Sequence, residues 1–276
     1  MDLIIKSLKL DINLLLTSKI TFYKKIIFII KKYIVITKNY IIGFNPGKSF
    51  TKIFGEKYFY NDKFEPAFLQ SVYVDHSFLS NFIKENGIII DVGANIGQFN
   101  FFCRNYLKAS KVYSFEPIKN TFEVLKKNIP DNIYNMAISS QKNITMYISK
   151  DTSLLNSAIS NDNINSEKQL VSTVRLDDVE KIKNEKYIDL LKIDTEGTEL
   201  DVIKTGIETS KKSKYILIEV SGDRKSSGNA IELISFLYNY IPNIKLIQFG
   251  RKYLNKDTSI GACDVLFYND SFDKII

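Results

Sequence analysis

Residues 87–117, GIIIDVGANIGQFNFFCRNYLKASKVYSFEP, decide the fold. Ile88, Ile89 and Ile90 form a run apolar on both faces, which suits a strand buried between two helix layers better than one facing water. Asp91 stands at the carboxyl end of that run. Gly93 and Gly97 bracket the loop GANIG, where absent side chains let a ligand lie against the backbone and leave positive φ available. Asn95 is placed to cap the next helix, expected over Ile96 to Leu107. A second apolar run, Val112 to Phe115, closes on Glu116 and Pro117. Strand, glycine loop, helix, strand and terminal acid is the order of a nucleotide-binding βαβ unit. Its acid, about 20 residues past the loop, takes two ribose hydroxyls, and Glu116 stands there.

The loop narrows the cofactor. Dinucleotide enzymes use G-x-G-x-x-G to seat a pyrophosphate on a helix N-terminus, and Val92 to Gly97 lacks the middle glycine. A cofactor with a ribose and no phosphate fits better, and S-adenosylmethionine is one. Its ammonium needs a carboxylate, which Asp91 can supply directly or through water.

A second chemical centre is IDLLKIDTEGTE, residues 188–199. Its apolar positions make a central strand with Asp194 and Glu196 at the carboxyl end, Gly197 permits the turn, and Thr198 can cap the helix Leu200 to Thr205. Two carboxylates at such a crevice suit proton abstraction from a hydroxyl, or a divalent cation held by oxygen ligands. The motifs DVGANIG, FEP and KIDTEGTELDVIKTG, in that order, resemble the FkbM family of S-adenosylmethionine-dependent methyltransferases, over roughly Phe78 to Phe267.

The resemblance implies the α/β class I methyltransferase fold: a Rossmann-like, seven-stranded, mostly parallel sheet with helices on both faces and an antiparallel last strand. It also implies S-adenosylmethionine as cofactor and O-methylation of a hydroxyl, often on a sugar or a lipid- or polyketide-like product. The cofactor set expected is Asp91, Gly93, Asn95, Gly97, Glu116, Pro117, Asn135 and Met136. Asn135 and Met136 end a third strand, Ile133 to Ser139, where the adenine should lie. The catalytic set expected is Asp194, Glu196, Glu219, at the end of the strand Tyr215 to Val220, and His76, the only histidine. No dedicated metal site is assigned. The alternatives are a membrane-associated binding protein with a relic cofactor pocket and an NAD-dependent oxidoreductase.

Further helices are expected over His76 to Lys84, Asn120 to Asn128 and Asn229 to Tyr240. Further strands are expected over Asn143 to Ser149, Gln169 to Val174, Ile244 to Phe249 and Asp264 to Tyr268, with a loop from Asp151 to Lys168.

Two distant cysteines, Cys103 and Cys263, read as core thiols. Eight lysines against Asp2 and Asp11 put +6 of the chain's +7 into residues 1–40, which leaves the rest nearly neutral and argues against a nucleic-acid partner. Residues 1–45 therefore read as a basic amphipathic extension and 46–276 as the methyltransferase domain. Lysines break every apolar run well short of the ~18 residues that span a bilayer, and no signal-peptide cleavage site is apparent. Lys24-Lys25, Lys31-Lys32 and Lys38-Asn39 recur every seven residues, so a helix over 20–40 carries a polar stripe beside a wide apolar arc. That arc is expected either to touch an anionic membrane or to pack on the domain or a second subunit. A cytoplasmic protein follows, peripheral at the cytoplasmic membrane if the first alternative holds.

Overall fold

The Ile88–Val92 run is an inner strand of a seven-stranded sheet in a computed structural model describing residues 2–17, 19–149, 166–221, 230–254 and 260–272. The chain opens with α1 (Asp2–Leu16) and α2 (Phe22–Ile41), a hairpin of β1 (Phe50–Ile53) and β2 (Glu56–Phe59), and α3 (Glu65–Asp75). The βαβ unit follows as β3 (Ile88–Val92), α4 (Gln98–Phe102) and β4 (Lys111–Phe115), then α5 (Lys119–Asn128). Short strands β5 (Ile133–Tyr134) and β6 (Ala137–Ile138) lead to β7 (Asn143–Ser149) and β8 (Ser166–Val174). The second half runs α6 (Glu180–Lys183), β9 (Ile188–Ile193), α7 (Glu199–Thr205), α8 (Ile207–Lys211), β10 (Ser213–Ser221), α9 (Ala230–Tyr240), β11 (Ile244–Leu254) and β12 (Ile260–Asn269).

The large sheet has the order β11-β12-β10-β9-β3-β4-β5, and β6-β8-β7 form a smaller one. Strands β10, β9, β3, β4 and β5 are parallel, while β12 runs antiparallel to both β10 and β11. This is the expected doubly wound α/β sheet with its antiparallel last strand. Helices follow the parallel strands, so the carboxyl ends of β3, β4, β9 and β10 gather on one edge, where ligands bind in such sheets.

Several local expectations are corrected. The helix expected from Ile96 begins at Gln98, and Gly97, at φ 95°, occupies the N-cap; Asn95 is left-handed and does not cap. From Cys103 to Leu107 the helix widens into a π turn that carries Tyr106 and Leu107 into the core. The single strand expected over Ile133 to Ser139 is two, because β5 pairs with β4 whereas β6 leaves to pair with β8. The helix expected over His76 to Lys84 is the junction of α3 with a 3₁₀ turn, Ser77–Asn81. Ser166 to Lys168, expected as loop, belong to β8; the rest of that loop, 151–165, and Asn229 lie outside the described residues.

Helices α1 and α2 share a core with the domain: Leu14, Phe28 and Val35 cluster with Tyr58, Tyr73 and Phe101. The second residue of each lysine-led pair turns inward, so Lys25, Lys32 and Asn39 are buried. Lys32 donates to Asp11 Oδ1 at 2.5 Å, and Asp11 also accepts from Tyr33 Oη at 2.6 Å and Gln70 Nε2 at 2.9 Å. One carboxylate thus ties α1 to α2 and α3. Burial lowers the Lys32 pKa, and Asp11 works against that shift.

Removing one partner of a buried pair costs about 3–5 kcal/mol, because the other charge is left uncompensated. Asp11→Ala should lower unfolding stability by about that amount in urea titration, and adding Lys32→Met should recover at least half of it. Equal losses in the single and double variants would contradict this account of the helix junction.

Candidate active site

Two loops meet over the carboxyl ends of β3 and β9. Gly93 has φ 87°, and a Cβ there would lie 1.8 Å from the Asp194 carbonyl oxygen, so only glycine lets the loops approach. Asp194 N donates to Val92 O at 3.0 Å and locks them together. The glycine loop is internally saturated. Gly93 N and Ala94 N both donate to Phe115 O, Asn95 N to Glu116 Oε2 at 3.0 Å, Ile96 N to Asn95 Oδ1 and Gly97 N to Ala94 O.

Glu116 is held by two backbone amides, since Ile118 N donates to its other oxygen at 2.9 Å. Burial pushes its pKa up to about 7 in spite of these bonds. Each oxygen keeps acceptor capacity for a further donor.

Parallel register sets Ser114, Asp91 and Lys192 side by side on neighbouring strands. Lys192, only 5% exposed, lies 3.3 Å from Asp91 Oδ1, 3.2 Å from Asp194 Oδ2 and 5.1 Å from the Phe99 ring centre. Burial opposes its charge, yet Asp194 and Asp91 together raise its pKa, so it is a firm cation. Glu199 Oε1 accepts from Gly197 N, Thr195 N and Thr195 Oγ1, and so fixes the turn on which Glu196 sits at φ 55°. Thr198 makes no side-chain cap bond; Glu199 serves the turn instead.

A cavity of about 1130 Å³ opens over this edge. Of the expected cofactor residues, Gly93, Asn95, Glu116, Pro117 and Met136 line it. Asp91 lies beneath it, fully buried, and meets the site through Lys192. Gly97 packs toward Leu125 and Ile129, and the Asn135 amide donates to the carbonyls of Glu116 and Pro117, so neither lines the cavity. All four expected catalytic residues line it.

Carboxylate oxygens of Asp194, Glu196 and Glu219 lie within 4.8 Å of one another, a set of hard oxygen ligands that would also suit a divalent cation. His76 packs edge-on against Phe99, with Nδ1 3.2 Å from Val72 O, which requires the proton on Nδ1. Burial, aided by the Lys192 charge, pulls its pKa down to about 4, so the ring is neutral at pH 7. Sequence reasoning missed Lys192 and Glu199, and also Ser7, Leu10, Asn13 and Tyr33, through which α1 and α2 line the far side of the cavity.

The model of the FkbM methyltransferase domain matches residues 91–249, more than half of the chain. Methyltransferase sdnD of Sordaria araneosa is 25% identical over 187 residues, covering 53% of this chain and 71% of its own. Methyltransferase 1 of Beauveria bassiana is 24% identical over 170 residues, covering 51% and 68%. The crystal structure of methyltransferase FkbM from Methylobacillus flagellatus is 14% identical at a TM-score of 0.43, covering 75% of this chain and 54% of that one. The glycine loop, the acid closing β4 and the acidic turn after β9 all fall within the matched domain, and the chain belongs to the FkbM family of S-adenosylmethionine-dependent methyltransferases.

Proposed function

We propose that the chain methylates a hydroxyl oxygen of a small-molecule, glycan or glycolipid acceptor. One observation carries this reading: a single cavity joins a ribose-sized acceptor group, Glu116 beside the saturated loop, to a cluster of three carboxylates.

The residues fit S-adenosylmethionine. With every amide from Gly93 to Gly97 already donated within the protein, the loop offers nothing to a diphosphate, which disfavours a nicotinamide dinucleotide. Glu116 would hold the ribose hydroxyls, and Met136 and Ile118, both on the cavity wall, would flank the base. The cofactor, when bound, supplies an electrophilic methyl on a sulfonium.

The protein's own part is to hold an acceptor oxygen in position, exclude water and take up the hydroxyl proton. Proximity and orientation supply about 7–11 kcal/mol of a barrier, so the shape of the cavity matters more than any one base. Asp194 is the favoured proton acceptor, since Lys192 fixes its carboxylate at the cavity mouth with Glu196 and Glu219 beside it. His76 contributes a neutral wall.

Two outcomes follow. The raised pKa of Glu116 means that it ionises in the folded protein only as pH passes about 7. An ionised carboxylate is the better acceptor for ribose hydroxyls, so calorimetric affinity for S-adenosylhomocysteine should rise from about pH 6 to about pH 8, with proton release on binding. Without ligand the sign reverses: Glu116 supports the fold most below an unfolded glutamate's pKa of about 4.3, and that support is lost as pH rises through 7. Glu116→Gln should weaken binding about ten- to a hundredfold and flatten the pH profile; undiminished, pH-independent binding would refute the role.

The second outcome concerns the bond formed. Tritiated methyl transferred into cell-envelope extracts should survive alkaline hydrolysis, which removes methyl esters, and then be recovered as methyl iodide after hydriodic acid cleavage, the mark of a methyl ether. Asp194→Asn should slow the transfer about 10²–10⁴-fold with little change in cofactor affinity. Label retained on amines would exclude a hydroxyl acceptor.

A further inference from the structure

The outward face of the N-terminal helices is apolar where a water-facing helix should be polar. At 100° per residue, Tyr23, Ile27, Ile30, Ile34 and Ile41 fall on one line of α2, opposite the buried line of Lys25, Phe28, Lys32, Val35 and Asn39. All five are exposed, Ile34 by 59% and Ile41 by 78%. On α1, Ile5, Leu8, Ile12 and Leu16 form a second exposed apolar line, with Leu16 at 77%. The inward pairing of Lys32 with Asp11 fixes this orientation, since turning α2 over would bury isoleucines at the expense of a three-helix polar junction.

The charge around these lines is cationic. Lys24 and Lys38 are exposed along one flank of the α2 line, and Lys19 is exposed just after α1, while Lys9 on α1 is exposed but lines the cavity. Of the two acids in residues 1–40, Asp11 is consumed inside the junction. Among the described residues no helix is long and apolar enough to cross a membrane. An apolar face edged with lysine, on helices that do not span, matches the boundary between anionic headgroups and acyl chains. A second copy of the chain fits less well, because pairing this face would bring together two lysine-edged surfaces of the same sign.

We propose that the outer faces of α1 and α2 dock on an anionic lipid bilayer, bound in the plane of its interface. The inner sides of the same helices, through Leu10, Asn13, Tyr33 and Ile36, line the cavity. Docking would bring that wall within about one helix diameter, 10–12 Å, of the lipid.

The test is cosedimentation of the full chain with vesicles of phosphatidylcholine alone and of equal parts phosphatidylcholine and phosphatidylglycerol, with light scattering of the protein by itself. The bound fraction should favour the anionic vesicles by about tenfold or more and fall as salt is raised. Ile27→Ser/Ile30→Ser/Ile34→Ser, at exposed positions, should abolish binding without moving the thermal midpoint. Lys24→Glu/Lys38→Glu keeps the apolar line and should weaken binding selectively on anionic vesicles. Absence of binding to either vesicle, equal binding to both, or a dimer in solution that the triple serine variant dissolves would overturn the proposal; the last outcome would assign the face to a second copy.

Discussion

A lysine buried between two aspartates joins the two halves of the sheet edge. Lys192 stands on β9 beside Asp91 of β3 and reaches forward to Asp194, so one cation spans the ends of the strands that carry the glycine loop and the acidic turn. Ion pairs this deep are poor sources of net stability, because desolvation offsets most of the attraction. What this one supplies is position: Asp194 cannot turn away without taking one of two counter-charges from a buried ammonium. The glycine at position 93 makes the same junction sterically possible, since any side chain there would strike the Asp194 carbonyl.

From that junction the rest of the site follows by register. Glu116 ends β4, next to β3, and turns back to accept from the loop's Asn95 amide; Glu219 lies near the end of β10, next to β9. The loop, with its amides satisfied internally, is a rigid shelf and not an anion cradle, which is consistent with a cofactor recognised through hydroxyls and a flat apolar base. The N-terminal helices close the opposite side of the cavity. One wall of the cavity is therefore made from a segment whose other face is apolar and open.

Much of this was legible in the sequence where backbone demands are strict. The isoleucine run, Gly93, Glu116 and the Asp194 turn each have few alternatives in a parallel sheet, and they stand where the pattern puts them. Lys192 was hidden by a rule applied too broadly, because a strand reading that counts apolar positions passes over the lysine between Leu191 and Ile193. A lysine in a strand buried on both faces is rarely left unpaired, and that was the available signal. Asn135 went the other way: its position after a strand suggests adenine, yet its amide is spent on the carbonyls of Glu116 and Pro117, tying the link between β5 and β6 to the segment that follows β4. The heptad lysines left a related question open. Periodicity shows that a helix has two faces but not which face turns inward, and Asp11, on another helix and 21 residues before its partner Lys32, decides it.

The assignment stands or falls on whether the cleft over β3, β4 and β9 receives the methyl donor. A crystal structure grown with S-adenosylhomocysteine decides it. Density for the ribose should lie against the Glu116 carboxylate, with the glycine-loop amides still bonded within the protein. Density at any other place on the molecule, or a loop rearranged to direct its amides at the ligand, would contradict it.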